Sequence, residues 1–83
     1  MINFDPDRRV WEQVHETLIQ RIEAGVYKER NPIPSIVHLQ QEFGVALGTI
    51  RKVVRKLADE GYVNPIPGRA TYVLPRDRWP AGE

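Results

Sequence analysis

SIVHLQQEFGVALGTIRKVVRKLADEGYV, residues 35–63, carries two short apolar periodicities separated by a single glycine. Ser35 is placed to cap a helix that presents Ile36, Leu39 and Phe43 at spacings of three and four, and Gly44 ends it. A helix of two turns has little intrinsic stability, so it must be held by packing. Gly44-Val45 then gives a tight turn, and a further helix follows in which Ile50, Val53, Val54 and Leu57 fall within an arc of about 100°, until Gly61 closes it. Gly48, Lys52, Arg55 and Asp59 point the opposite way, with Arg51 and Lys56 on the flanks. One short helix thus separates a buried face from a basic one.

Upstream, Val10, Val14, Leu18 and Ile22 recur every four residues, with Trp11 and Ile19 widening the stripe. This predicts one long amphipathic helix, starting near Asp5-Pro6-Asp7, where an aspartate can cap and a proline can occupy the first turn, and stopping at Gly25. Val26 and Tyr27 are expected to fold back onto its end. Lys28 to Pro34 is polar and holds two prolines, so it reads as a loop with at most a very short strand at Ile33. Downstream of Gly61, Tyr62–Ile66 and Thr71–Leu74 favour strands, and Pro67-Gly68-Arg69-Ala70 between them has turn chemistry. Pro65 and Pro67 cannot donate ladder hydrogen bonds, which makes the first strand an edge that must lie against the helices. The expected fold is mainly α with a small β-hairpin: a winged helix-turn-helix of three helices and a two-stranded wing over residues 1–75. Residues 76–83 are expected to form a flexible tail in which Trp79 could dock.

The chain's 83 residues suit a single small core, and the absence of cysteine removes disulfides and thiolate metal sites as supports. Hydrophobic residues at 41% with charged residues at 28% exclude a disordered chain, and the start lacks the pattern of a signal peptide. No run is long enough for a bilayer, so a cytoplasmic location without membrane contact is expected. The formal charge of +1 divides unevenly: residues 1–50 hold five basic against seven acidic side chains, residues 51–83 seven against four. A polyanion would meet the second half.

Two short helices joined by a glycine turn, the second basic, have the plan of a helix-turn-helix, and a hairpin after them supplies the wing. A helix fits the major groove, about 12 Å wide, while a second element straddles phosphates and fixes register. Thr49 can donate to a phosphate or base edge. Arg51, in the second turn, is the candidate base reader through guanine O6 and N7, and Lys52, Arg55 and Lys56 are the candidate phosphate holders. Arg69, after Pro67-Gly68 at the wing tip, can enter a minor groove or meet its phosphates. Enzymatic patterns are missing: His15 and His38 lie on different helices and are expected at the surface, Asp59-Glu60 has no expected partner for acid–base work, and glycine-rich phosphate loops are absent. No cofactor and no metal are expected. Trp11, Phe43 and Tyr62 read as packing residues.

The chain resembles the DNA-binding domain of the GntR (gluconate-repressor-type) family of bacterial transcription regulators. The resemblance begins at Val10-Trp11-Glu12-Gln13-Val14, passes through Gly25-Val26-Tyr27, Ile33-Pro34-Ser35, Phe43-Gly44-Val45 and Thr49-Ile50-Arg51-Lys52, and continues from Glu60-Gly61-Tyr62-Val63 to the wing at Gly68-Arg69-Ala70-Thr71-Tyr72-Val73. With Ser35, Leu47, Gly48 and Gly68 beside Thr49, Arg51, Lys52, Arg55, Lys56 and Arg69, ten positions are expected to contact DNA. Family members usually carry glutamate and arginine where this chain has Ile36 and Val37, and serine or threonine then arginine where it has Ala46 and Leu47. The arginines at positions 37 and 47 are DNA contacts in the family, and the one at Arg51 is retained. Ala46 also removes the expected cap of the third helix, at a cost of about 1 kcal/mol. Leu47 can instead meet a thymine methyl or belong to a protein contact patch. The family's effector-binding C-terminal domain is not within these residues, so no effector pocket is expected in this chain.

Two functions stay open on this reading. One is a sequence-selective double-stranded DNA-binding transcription regulator, repressor-like, acting as a weak or DNA-templated homodimer. The other is a winged-helix adaptor that binds a protein through the face altered at Ile36, Val37, Ala46 and Leu47.

Overall fold

The computed structural model describes residues 4–80. Three helices, α1 (Val10–Glu23), α2 (Ile36–Phe43) and α3 (Leu47–Glu60), precede a hairpin of β1 (Val63–Ile66) and β2 (Ala70–Val73), and a 3-10 turn follows at Arg76–Arg78. The architecture is the winged helix-turn-helix, three helices and a two-stranded antiparallel wing. Most apolar positions at helical spacing are the core: Val14, Leu18 and Ile22 from α1, Leu39 and Phe43 from α2, and Ile50, Val53, Val54 and Leu57 from α3 are buried, whereas Val10 at the start of α1 is 39% exposed and Ile36 is half-buried. Tyr62, Val63 and Val73 close the hairpin's inner face over them, and Ile33 joins from the loop.

The first helix starts later than Asp5-Pro6-Asp7. Arg9 occupies the cap position without a side-chain bond, and the cause is Gln13. Its amide donates to the carbonyls of Asp5 at 3.0 Å and Arg8 at 3.1 Å, while its oxygen accepts from the Asp5 N–H at 2.8 Å. Residues 5–9 are thereby held as a turn across the helix start, with their polar backbone groups occupied by a side chain instead of by helical bonds. At the other end, the Val26 N–H reaches the Arg21 carbonyl at 2.8 Å. Tyr27 does fold back, taking a hydrogen bond from Arg21 at 2.7 Å, but the Val26 side chain stays 64% exposed.

Ser35 caps α2 by accepting from the His38 N–H at 3.1 Å. α3 has no side-chain cap at Ala46. The wing pairs Val63 with Val73 and Ile66 with Ala70, one residue away from the expected second strand. Its turn is closed by the Arg69 N–H on the Ile66 carbonyl at 3.0 Å, around Gly68 at φ 76°. The loop before α2 runs along the free edge of β2, where Ile33 donates to Thr71 at 2.9 Å and Arg30 to Val73 at 2.8 Å. Pro32 and Pro34 have no N–H to give, so this pairing stays at one bridge, Pro32 with Tyr72.

Residues 76–79, expected as the start of a loose tail, are docked. The Trp79 indole donates to the Leu74 carbonyl at 2.8 Å and its ring lies 6.0 Å from that of Tyr62. Arg76 stacks on Trp79 at 4.5 Å while its backbone N–H bonds the Glu29 carboxylate at 2.8 Å. Gly61 permits this close approach: a Cβ there would sit 2.7 Å from the Arg78 carbonyl oxygen, and its φ of 96° already disfavours other residues. Residues 81–83 of the expected tail lie outside the described residues.

Candidate nucleic-acid interface

The basic side chains of α3 follow from helical geometry. With Ile50, Val53, Val54 and Leu57 buried, Arg51, Lys52, Arg55 and Lys56 must emerge on the outer surface, and all four are exposed. Gly48 is exposed in the first turn, with nothing within 4 Å of the position its Cβ would take. Leu47 and Thr49 are half-buried beside it. Gly68 and Arg69 are exposed at the wing tip, and Ser35 is exposed at the start of α2. The antiparallel pairing of Ile33 with Thr71 runs the chain toward the wing tip as it enters α2, which brings the Ser35 end of that helix to the same side as Arg69. The ten positions read from the sequence therefore lie on two helix starts, one helix face and a turn.

What separates these cations from the rest is the fate of the charge. Arg8 is tied to Glu16, a pairing that raises the arginine's pKa. Arg21 meets Glu42 at 2.5 Å and lies 5.2 Å over the Phe43 ring, so its charge is committed to joining α1 to α2. The hydrogen bond from Arg21 holds the Glu42 carboxyl below its usual range, and the same interaction raises the arginine. Among the described residues no carboxylate pairs with Arg51, Lys52, Arg55, Lys56 or Arg69. Five cations without a carboxylate partner, four on α3 and one at the wing tip, make a surface complementary to a polyanion.

Two residues behave differently from the sequence reading. His15 is not a surface histidine: its side chain is 13% exposed, and its Nε2 lies 2.5 Å from Glu60 Oε1. Glu60, which had no expected partner, is thus used to tie α3 to α1. Trp11 is half-buried against the core as expected, and in addition carries Lys52 Nζ at 4.5 Å and Lys56 Nζ at 5.8 Å from its ring centroid. The signal available in the sequence was spacing, since Trp11 and His15 are four apart and Lys52, Lys56 and Glu60 repeat every four. Nothing in the spacing said that these two stripes face each other. His38 is exposed, and among the described residues no three histidine, aspartate or glutamate side chains converge as a metal site would require. No helix among them is long and apolar enough to cross a membrane.

Comparison with known proteins gives this surface a context. The chain is 32% identical over 65 residues to the HTH-type transcriptional regulator TreR of Bacillus subtilis, a match covering 78% of this chain and 27% of that protein. It is 33% identical over 63 residues to the histidine utilization repressor of Klebsiella aerogenes, covering 76% of this chain and 26% of that one. The chain therefore spans about a quarter of the length of these relatives. The DNA-binding domain of AraR, solved in complex with operator ORX1, superposes with a TM-score of 0.80 at 29% identity, over 87% of this chain and 92% of that one. Residues 11–73 match the gntR family of bacterial regulatory proteins. The protein belongs to that family, whose winged helix-turn-helix domain serves DNA binding in transcription regulation and not catalysis.

Proposed function

We propose that this domain is a sequence-selective reader of double-stranded DNA, with α3 in the major groove and the wing alongside, acting in the cytoplasm as a transcription regulator of the repressor type. The observation that carries this reading is the set of unpaired cations on the outer face of α3, on a scaffold shared with the operator-bound domain of AraR. Arg51 is the base reader, since a guanidinium can address guanine O6 and N7 together. Lys52, Arg55 and Lys56 neutralise phosphates. Thr49 and Ser35 supply hydroxyl donors; the Ser35 oxygen already accepts from His38, leaving its proton free for a phosphate. Gly48 leaves room for the backbone of the helix start to approach DNA, Leu47 offers an apolar contact to a thymine methyl, and Gly68 aims Arg69 at the adjacent minor groove.

The domain measures 34 Å along its two longer axes, close to one turn of B-DNA. Two copies on a palindrome with half-site centres about 34–36 Å apart would therefore lie side by side. A single module buries little surface, so two molecules load cooperatively on a symmetric site while the free protein is monomeric or weakly dimeric. Selection from random duplexes at a stated salt concentration tests the reading, with stoichiometry measured on half-site and full-site duplexes. One enriched palindrome bound by two molecules is expected. An absence of any enriched sequence overturns selectivity, and equal affinity per site on half and full sites overturns cooperativity.

A second reading, a protein-binding adaptor, rests on the Val37 side chain, 55% exposed on α2 at the position where the family usually carries a DNA-contacting arginine. An apolar contact there would be nearly indifferent to salt, whereas phosphate neutralisation weakens steeply with it.

A further inference from the structure

We infer that Trp11 is a positioning residue of the nucleic-acid interface, holding the ammonium groups of Lys52 and Lys56 over its indole so that they are presented to phosphates. The inference rests on the reading of α3 as the DNA-facing helix. Trp11 belongs to α1 and acts on that face through the two lysines.

The geometry is a ladder along the α1–α3 seam. Lys52 Nζ lies 4.5 Å and Lys56 Nζ 5.8 Å from the Trp11 ring centroid, both within the range of cation–π attraction. The ring cannot swing freely, since it packs on the core and meets the edge of the His15 ring at 6.2 Å and 62°. His15 in turn lies 2.5 Å from Glu60, one helical turn beyond Lys56. The platform is thus fixed at both ends, by the core below and by the His15–Glu60 pair beside it.

Chemistry makes such a platform suited to phosphate binding. An ammonium carries three N–H donors, and a ring face engages one side of it, leaving donors directed outward. A carboxylate partner would have competed with phosphate for the charge; an indole face is neutral and does not. A lysine left free in solvent also loses rotamer freedom when it first docks on a phosphate. A lysine resting on the ring gives up part of that freedom before phosphate arrives. Arg51 and Arg55 have no aromatic beneath them among the described residues, so the device belongs to one flank of the helix.

A double-mutant cycle on duplex binding tests this, with Trp11→Leu and Trp11→Phe made in the unaltered chain and in a Lys52→Ala/Lys56→Ala background. Trp11→Leu keeps an apolar side chain on the core and removes the π face. It is expected to weaken binding about 3–10-fold in the unaltered background and less than about twofold where the lysines are gone. Trp11→Phe, which retains a ring, should recover most of the loss. Equal losses in both backgrounds would show a purely structural role and overturn the inference. Should Trp11→Leu fail to fold, the Phe variant and the free protein carry the test. Proton NMR of the unaltered chain should then show the side-chain methylenes of Lys52 and Lys56 shifted upfield by the indole ring current. Unshifted methylenes overturn the stack, while shifted methylenes in a chain that binds no duplex overturn the reading of α3 and the inference with it.

Discussion

α1 and α3 are both fourteen residues long and each buries one apolar face, yet their charges end in different places. On α1, Glu16 closes on Arg8 and the helix's one arginine, Arg21, closes on Glu42, while Glu12 and Glu23 have no basic partner among the described residues. On α3, only Glu60 is paired, and the four cations before it have no carboxylate among the described residues. The lesson is that amphipathicity alone does not distinguish a scaffold helix from a reading helix. What distinguishes them is whether the helix's cations find a carboxylate within the fold.

Substitution on the open face should therefore cost binding and spare stability. Arg51→Ala is expected to lose about 1–3 kcal/mol against the preferred duplex and to flatten preference among sequences. Its unfolding free energy should move by no more than about 0.5 kcal/mol, since the side chain is exposed. Competition binding and urea unfolding check the two halves. Similar losses on preferred and random duplexes would reassign Arg51 to phosphate, and a large loss of stability would break the contrast between the helices.

The C-terminal end of α3 is closed where its outer face is open, and Gly61→Ala probes that closure. A left-handed φ of 96° and a Cβ 2.7 Å from the Arg78 oxygen should together cost about 1–2 kcal/mol of stability. Urea unfolding measures this, and tryptophan emission should change because Trp79 is displaced with the 3-10 turn. An unchanged midpoint would mean that the tail docks without requiring the glycine.

The smallest effect is expected on the closed side. Glu42→Gln should lower stability by about 0.5–1 kcal/mol at pH 7 and leave duplex affinity unchanged. Arg21 holds the Glu42 carboxyl below its ordinary 4.5. The stabilisation is therefore complete above the unfolded value and is lost as pH falls through the lowered folded value. Urea titrations at pH 7 and pH 3 should show the gap between the two proteins narrowing at the acid end. A gap of equal size at both pH values would remove the ion pair as its cause.

Helix identity was legible because it depends on local periodicity. Val14, Leu18 and Ile22, then Leu39 and Phe43, then Ile50, Val53, Val54 and Leu57 are the buried residues of their helices. The edge strand was legible too, since Pro65 and Pro67 restrict pairing by covalent structure. The start of α1 was not, because Gln13 fixes it by bonding Asp5 across eight residues, against the local preference of Asp5-Pro6. The docking of Trp79 and the pairing of His15 with Glu60 depend on where α1 crosses α3 and where the chain returns after β2, which no window of sequence encodes. The basic face of α3 could be read from spacing, but the indole beneath half of it comes from another helix.

Salt dependence reads most directly whether the open cations of α3 meet phosphates. The logarithm of duplex affinity should fall linearly with the logarithm of salt concentration, and replacing both Lys52 and Arg55 with alanine should reduce that slope by about two, near one for each phosphate left without its cation. A slope unchanged by the double replacement would place DNA on another surface and contradict the assignment of α3 as the reading helix.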